Sequence, residues 1–228
     1  LMDVYDSEAD GTIADHENSY PQGMLASFRG LYDINPQVSG YIQYNAEATD
    51  DFLQINYPVV FSGDNTTYLH KNFYGDTSAD GALFIDERCN RESAPTIVYG
   101  KNAANGKMFA GLNSLVGSVY RARAAAKLTY STLYEKNDYL VFAVVLSDTS
   151  ATADDSFNSC RIDFSSEDEF NAHIEAVKAH SLFDYGVNVA MSDDILILVT
   201  DASASVAKMN GARIAVYARR MHSNEQTH

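Results

Sequence analysis

Tryptophan is absent, cysteine occurs twice, and basic residues are scarce: 16 Lys and Arg stand against 31 Asp and Glu, a formal charge of −15. So acidic a surface repels nucleic-acid phosphates and anionic lipid heads, which sets nucleic acid aside as a partner. The charge reads as a solubility surface. No run of about 18 or more apolar residues occurs, so no segment is expected to span a bilayer as a helix. Residues 1–20 are acidic and polar, whereas a signal peptide would be basic and then apolar. Membrane attachment is therefore expected only through an anchor outside this sequence. The two cysteines, Cys89 and Cys160, allow one intramolecular pairing and lack metal-ligand spacing, so both read as ordinary thiols. Repeats, low-complexity tracts and interdomain linkers are also missing.

What is present suits one globular domain. The 228 residues are 46% hydrophobic, with 15 Tyr and 11 Phe as strand-type residues. Residues 1–20 form an acidic, weakly structured lead-in, and 21–228 a single domain. Within the lead-in, Asp6, Glu8, Asp10, Gly11, Thr12, Ile13 and Glu17 fall on the register of an EF-hand calcium loop. The third position is Glu, only five residues precede the loop, and Pro21 interrupts an exit helix. The stretch reads as a solvated tail, and no metal is expected.

Met24, Leu25, Phe28, Leu31 and Tyr32 follow helical spacing over 22–32, and Asn35-Pro36 ends that helix. Short β-type runs follow at 38–44, 57–61, 67–69, 82–85 and 96–99, divided by turn chemistry such as Ser62-Gly63-Asp64-Asn65. A short helix is expected at 107–115, then strands at 127–133 and 139–146. A helix at 167–179 is opened by Ser165 or Ser166 as cap, with acids in its first turn. Strands at 195–200 and 213–220 close the chain. Many strands with few helices point to a β-barrel or sandwich with helical insertions.

The order of segments resembles class B sortases. The stretch LYDINPQVSGYI is similar to their helix entering an Asn-Pro-x-x-x-Gly-Trp-Ile strand. The stretch INYPVVFSGDNTTYLHKNFYG resembles Tyr-Pro-Val followed by Asp-Asn-x-x-Tyr-Leu, and GALFIDERCN resembles Gly-x-x-Phe-x-Asp. IVYGKNAANGKMFAGL resembles Tyr-Gly-His-Asn followed by Gly-x-Met-Phe. DILILVTDAS resembles the strand ending Thr-Leu-x-Thr-Cys, and ARIAVYARR the strand carrying the family's essential arginine. These matches are collinear from about Leu25 to Arg220.

The resemblance implies a sortase-type closed barrel of about eight strands. It also implies an N-terminal helix, and a helix in the insertion before the penultimate strand. Sortases are extracellular, membrane-anchored cysteine transpeptidases of Gram-positive bacteria. They hold an acyl group as a thioester on Cys and pass it to an amine, with no cofactor. That chemistry needs a thiolate nucleophile, a general acid such as His, and a cation for the oxyanion.

By motif position the histidine is Lys101, the cysteine is Asp201, and the arginine is retained as Arg213. A carboxylate attacking a peptide carbonyl would give an anhydride, far less accessible than a thioester. A lysine ammonium holds its proton too tightly at pH 7 to serve as general acid. Ordinary sortase catalysis is therefore expected to be absent. The opposite charges predict a Lys101–Asp201 salt bridge, joined by Arg213, and the same pair admits an isopeptide bond with loss of one water.

The resemblance further assigns Asn65, Leu69, Thr200, Ser181 and Tyr185 to the sorting-signal groove, although Asn65 also suits a turn and Leu69 a core position. It implies a monomer on the extracellular face of a Gram-positive cell membrane or in its wall, with a sorting-signal-like peptide or surface protein as partner. The leading reading is a catalytically defective pseudo-sortase that binds such a partner. The alternative is an active or formerly active transpeptidase anchoring surface proteins or pilins. A third arrangement, with Cys89 or Cys160 as nucleophile, lacks a histidine in a Tyr-Gly-His context.

Overall fold

The computed structural model describes residues 4–5, 11–12, 20–45, 52–89, 95–147, 160–206 and 211–225. Among them eight strands close into a barrel: β1 (Val38–Asn45), β2 (Gln54–Val60), β3 (Leu83–Ile85), β4 (Thr96–Tyr99), β5 (Lys127–Thr132), β6 (Lys136–Ser147), β7 (Ile195–Asp201) and β8 (Arg213–Arg220). Their spatial order is β1-β2-β3-β4-β7-β8-β6-β5, and β5 pairs back onto β1. The chain is thus mainly β with few helices, as the sequence implied.

The β-branched runs explain the central strands. Ile195–Thr200 and Ile214–Arg219 are buried on both faces, so their sequences are nearly continuous apolar runs. One face fills the barrel and the other lies under surrounding segments. α3 (Glu167–Ala179) is one of these covers. Phe170, Ile174 and Val177 recur at i, i+4 and i+7 and are buried, each contributing roughly 1.5–3 kcal/mol. The Ser166 side chain accepts the Glu169 N–H, and Glu167, Asp168 and Glu169 lie at the positive end of the helix.

A second apolar cluster sits outside the barrel. Met24, Phe28 and Leu31 cover Val38, Tyr41, Val60 and Phe84. Two pieces of the lead-in join this layer. Tyr5 stacks on Tyr41 with ring centroids 4.1 Å apart and donates its hydroxyl to Ser131 Oγ, while Thr12 bridges Leu25. Burial, together with the neighbouring Tyr5 and Tyr57, pushes the Tyr41 phenol up to about 12.

Several predicted elements are corrected. The helix expected over 22–32 is a 3-10 turn (Ala26–Phe28) leading into α1 (Arg29–Ile34). The run at 67–69 is a 3-10 turn and not a strand, because Asp64 accepts the N–H groups and hydroxyls of both Thr66 and Thr67 and winds the chain there. The 107–115 helix is a 3-10 segment over Ala110–Leu115. α2 (Val119–Ala124) was not anticipated, since its Val119 and Tyr120 are exposed and leave no apolar stripe to read.

Strand direction decides where chemistry gathers. β4 runs parallel to β7 with Tyr99 opposite Val199, and β7 runs antiparallel to β8 with Asp201 opposite Arg213. The residues after β4, at the end of β7 and at the start of β8 therefore meet at one end of the barrel. No described helix is long and apolar enough to cross a membrane.

Candidate functional site

A cleft of about 290 Å³ opens at that end, lined by Asn65, Leu69, Phe84, Tyr99, Gly100, Lys101, Val199, Thr200, Asp201 and Arg213. Gly100 is what lets β4 deliver Lys101 there. A Cβ at Gly100 would collide with the Leu83 side chain and the Phe109 ring, which close over the backbone at this step. The Gly100 N–H continues the β4–β7 pairing by donating to Val199 O at 3.1 Å.

Lys101 does not pair with Asp201, contrary to the expected salt bridge. Its Nζ donates to Ala79 O at 2.7 Å, and Asn105 Nδ2 donates to Asp80 Oδ2 at 2.6 Å. These two bonds tie the loop after β4 to the turn before β3. The closer acceptor takes the ammonium, and Asp201 turns to its strand neighbour, with Oδ1 3.6 Å from Arg213 Nε. The side chains of Asp201 and Arg213 are 74% and 49% exposed, so this ion pair adds little stability. Such exposure also denies Asp201 the apolar enclosure an isopeptide bond would need.

Asn65 and Leu69 line the cleft, and Asn65 has a structural duty as well. Its Oδ1 accepts the Glu87 N–H at 2.9 Å, pinning the turn after β2 beside the β3–β4 connection. Thr200 also lines the cleft. It is 3% exposed, and its hydroxyl has no hydrogen-bond partner. Ser181 and Tyr185 are not brought to this cleft. Ser181 lies against the part of β6 beyond its pairing with β5, where its hydroxyl accepts the Val144 N–H and donates to Phe183 O. Tyr185 packs against the barrel core with its hydroxyl buried and unpaired, and burial raises its pKa. Ser181 instead lines a separate pocket with Phe142, Lys178 and Leu182, an outcome set by packing and invisible in residue spacing.

Tyr99 is a cleft residue that the sequence reading missed. Its ring packs on Phe84 at 5.5 Å, and its hydroxyl donates to Asp86 Oδ2 at 2.8 Å. Asp86 also takes two side-chain N–H bonds from Arg88. Burial pushes the Asp86 carboxyl up, but the Arg88 and Tyr99 hydrogen bonds outweigh it and hold the carboxyl below its ordinary value. Burial, then the nearby Cys160 and the bond to Asp86, raise the Tyr99 phenol. The alternation of β4 was the available signal, since Ile97 and Tyr99 share one face of the strand.

Neither cysteine is in the cleft. Cys89 is buried after β3, with Sγ accepting the Ile97 N–H at 3.5 Å, and Cys160 precedes α3. Of the calcium candidates, Asp6, Glu8, Asp10 and Glu17 lie outside the described residues, and Thr12 is the exception. Among the described residues no His, Cys, Asp and Glu cluster could hold a metal ion.

The closed eight-stranded barrel is a fold shared with solved sortase B structures. No protein-family model matches the chain. Two sequence relatives carry the same name. Sortase B of Listeria monocytogenes is 25% identical over 202 residues, 81% of this chain and 79% of that protein. Sortase B of Staphylococcus aureus is 26% identical over 206 residues, 89% of this chain and 78% of that protein. Sortase B from Bacillus anthracis, solved in complex with AAEK1, superposes with a TM-score of 0.74 at 26% identity, covering 96% of this chain and 92% of that one. A Staphylococcus aureus sortase B–substrate complex shares the fold with a TM-score of 0.72 at 24% identity, covering 89% of this chain and 88% of that one. Relatives and fold neighbours together support the class B sortase family.

Proposed function

We infer that this chain is a class B sortase-type protein that holds a peptide or surface-protein partner in its cleft without performing the sortase transpeptidation. The observation that carries the reading is the trio Lys101, Asp201 and Arg213 lining one cleft. On the motif alignment, Lys101 and Asp201 fill the histidine and cysteine positions. Neither supplies an imidazole acid or a thiolate, and no other described thiol reaches the cleft. The apolar wall of Leu69, Phe84, Tyr99 and Val199 with a few polar groups suits an extended peptide. On this reading the protein is a monomer acting outside the membrane of a Gram-positive cell.

A second reading, an active transpeptidase, is favoured by the names of the relatives. A fluorogenic sorting-peptide assay with an amine acceptor separates the two. The expected result is saturable binding without turnover. Cleavage abolished by a thiol-reactive probe would overturn the defective-enzyme reading.

A further inference from the structure

The cleft holds more cationic donor capacity than the protein spends. A guanidinium carries five N–H donors in a planar fork. Among the described residues the Arg213 guanidinium makes no hydrogen bond, and its charged partner Asp201 stands 3.6 Å away on the Nε edge. The Nη edge is left for something else. Lys101 spends one of its three ammonium protons, on Ala79 O. The Thr200 hydroxyl, nearly fully buried in the same lining, has no partner.

Charge tells the same story. In a chain of net charge −15, this cleft sets two cations, Lys101 and Arg213, against one carboxylate, Asp201. A neutral peptide backbone has no use for the surplus cation, whereas one incoming carboxylate brings the cleft to charge balance. Planar, two-toothed recognition of carboxylates is what a guanidinium edge does best.

We propose that the cleft takes its peptide by a carboxylate, seated between the Nη edge of Arg213 and the Lys101 ammonium, with apolar side chains against Leu69, Phe84 and Tyr99. The proposal rests on the peptide-binding reading of this cleft and names the chemistry it selects. The carboxylate has two sources, the end of a chain or an acidic side chain, and both present the same group.

The test is an amide-shift NMR titration of the full chain with three probes: acetyl-Ala-Leu-Ala-Leu as the free acid, the same peptide as its amide, and acetyl-Ala-Leu-Glu-Leu as its amide. One of the carboxylate-bearing probes is expected to bind at least about tenfold tighter than the neutral amide, the scale of a single charge-assisted hydrogen bond. Shifts should centre on Tyr99–Lys101 and Thr200–Asp201. Preference for the free acid identifies a chain terminus as the source, and preference for the Glu probe identifies a side chain. Arg213→Gln and, independently, Lys101→Gln should erase the preference, while Asp201→Asn should enlarge it. Equal binding of all three probes in the cleft would overturn the carboxylate proposal and leave the peptide-binding reading standing. Binding by none would overturn both.

Discussion

Lys101 shows how far one side chain's role depends on the acceptor nearest to it. Complementary charge suggested a partner in Asp201, but the fold offered Ala79 O at 2.7 Å, and Asp201 met Arg213 across the β7–β8 pair. Residue identities at the cleft were legible because motifs carry them. Their pairing was not, because a loop carbonyl has no signature in sequence. The same lesson holds at the far end of the barrel. Arg219 is buried, and both of its Nη atoms donate to Glu225, whose carboxylate also takes the His222 N–H. Those bonds lower the Glu225 carboxyl from 4.5 to about 2. A depressed carboxyl contributes stability that is full above 4.5 and is lost as the pH falls toward about 2. Glu225→Gln is expected to cost about 1 kcal/mol at neutral pH, since the site is partly solvent-screened. Urea melts across the acid range should show the variant and the parent converging.

Elements were read best where pattern and chemistry agree. α3 has its apolar period, its acidic first turn and its serine cap all in sequence, and it forms over Glu167–Ala179 as expected. Ser166→Ala should therefore destabilise the protein by about 1 kcal/mol, read as a lowered unfolding midpoint at unchanged m-value. The turn at Thr67–Leu69 was misread because Thr67 and Tyr68 are strand-favouring residues, while Asp64 decides its conformation through four hydrogen bonds. α2 went unseen for the opposite reason: its exposed Val119 and Tyr120 do not mark a buried face. The cleft inherits its shape from both kinds of element. β4 and β7 are plain apolar strands, whereas Asn65 reaches it from a turn pinned by a bond to Glu87.

At the scale of the molecule, the barrel exists because β5 returns to β1. The pairing runs from Gly40–Thr132 to Gln43–Thr129. Gly40 makes this seam possible: a Cβ there would stand 2.6 Å from Tyr130 Cε2 and 2.8 Å from Ser131 O. Gly40→Val is expected to cost about 2–3 kcal/mol or to open the seam, measurable as faster amide hydrogen exchange in β1 and β5. The closure also creates the cleft end. Lys101, Asp201 and Arg213 are far apart in sequence, and only the parallel β4–β7 and antiparallel β7–β8 pairings bring their strand ends together.

The sequence by itself determined the strand-rich character, α3 with its cap, the acidic surface and the identity of the charged residues that reach the cleft. Each of these is written in local pattern or composition. The tertiary structure alone decided that Arg213 takes Asp201, that Lys101 serves as a loop tie, that Tyr99 lines the cleft, and that Ser181 and Tyr185 face elsewhere. Those outcomes depend on which groups meet across strands and loops, and a hydrogen-bond acceptor brought near by folding wins over a charge that is merely complementary.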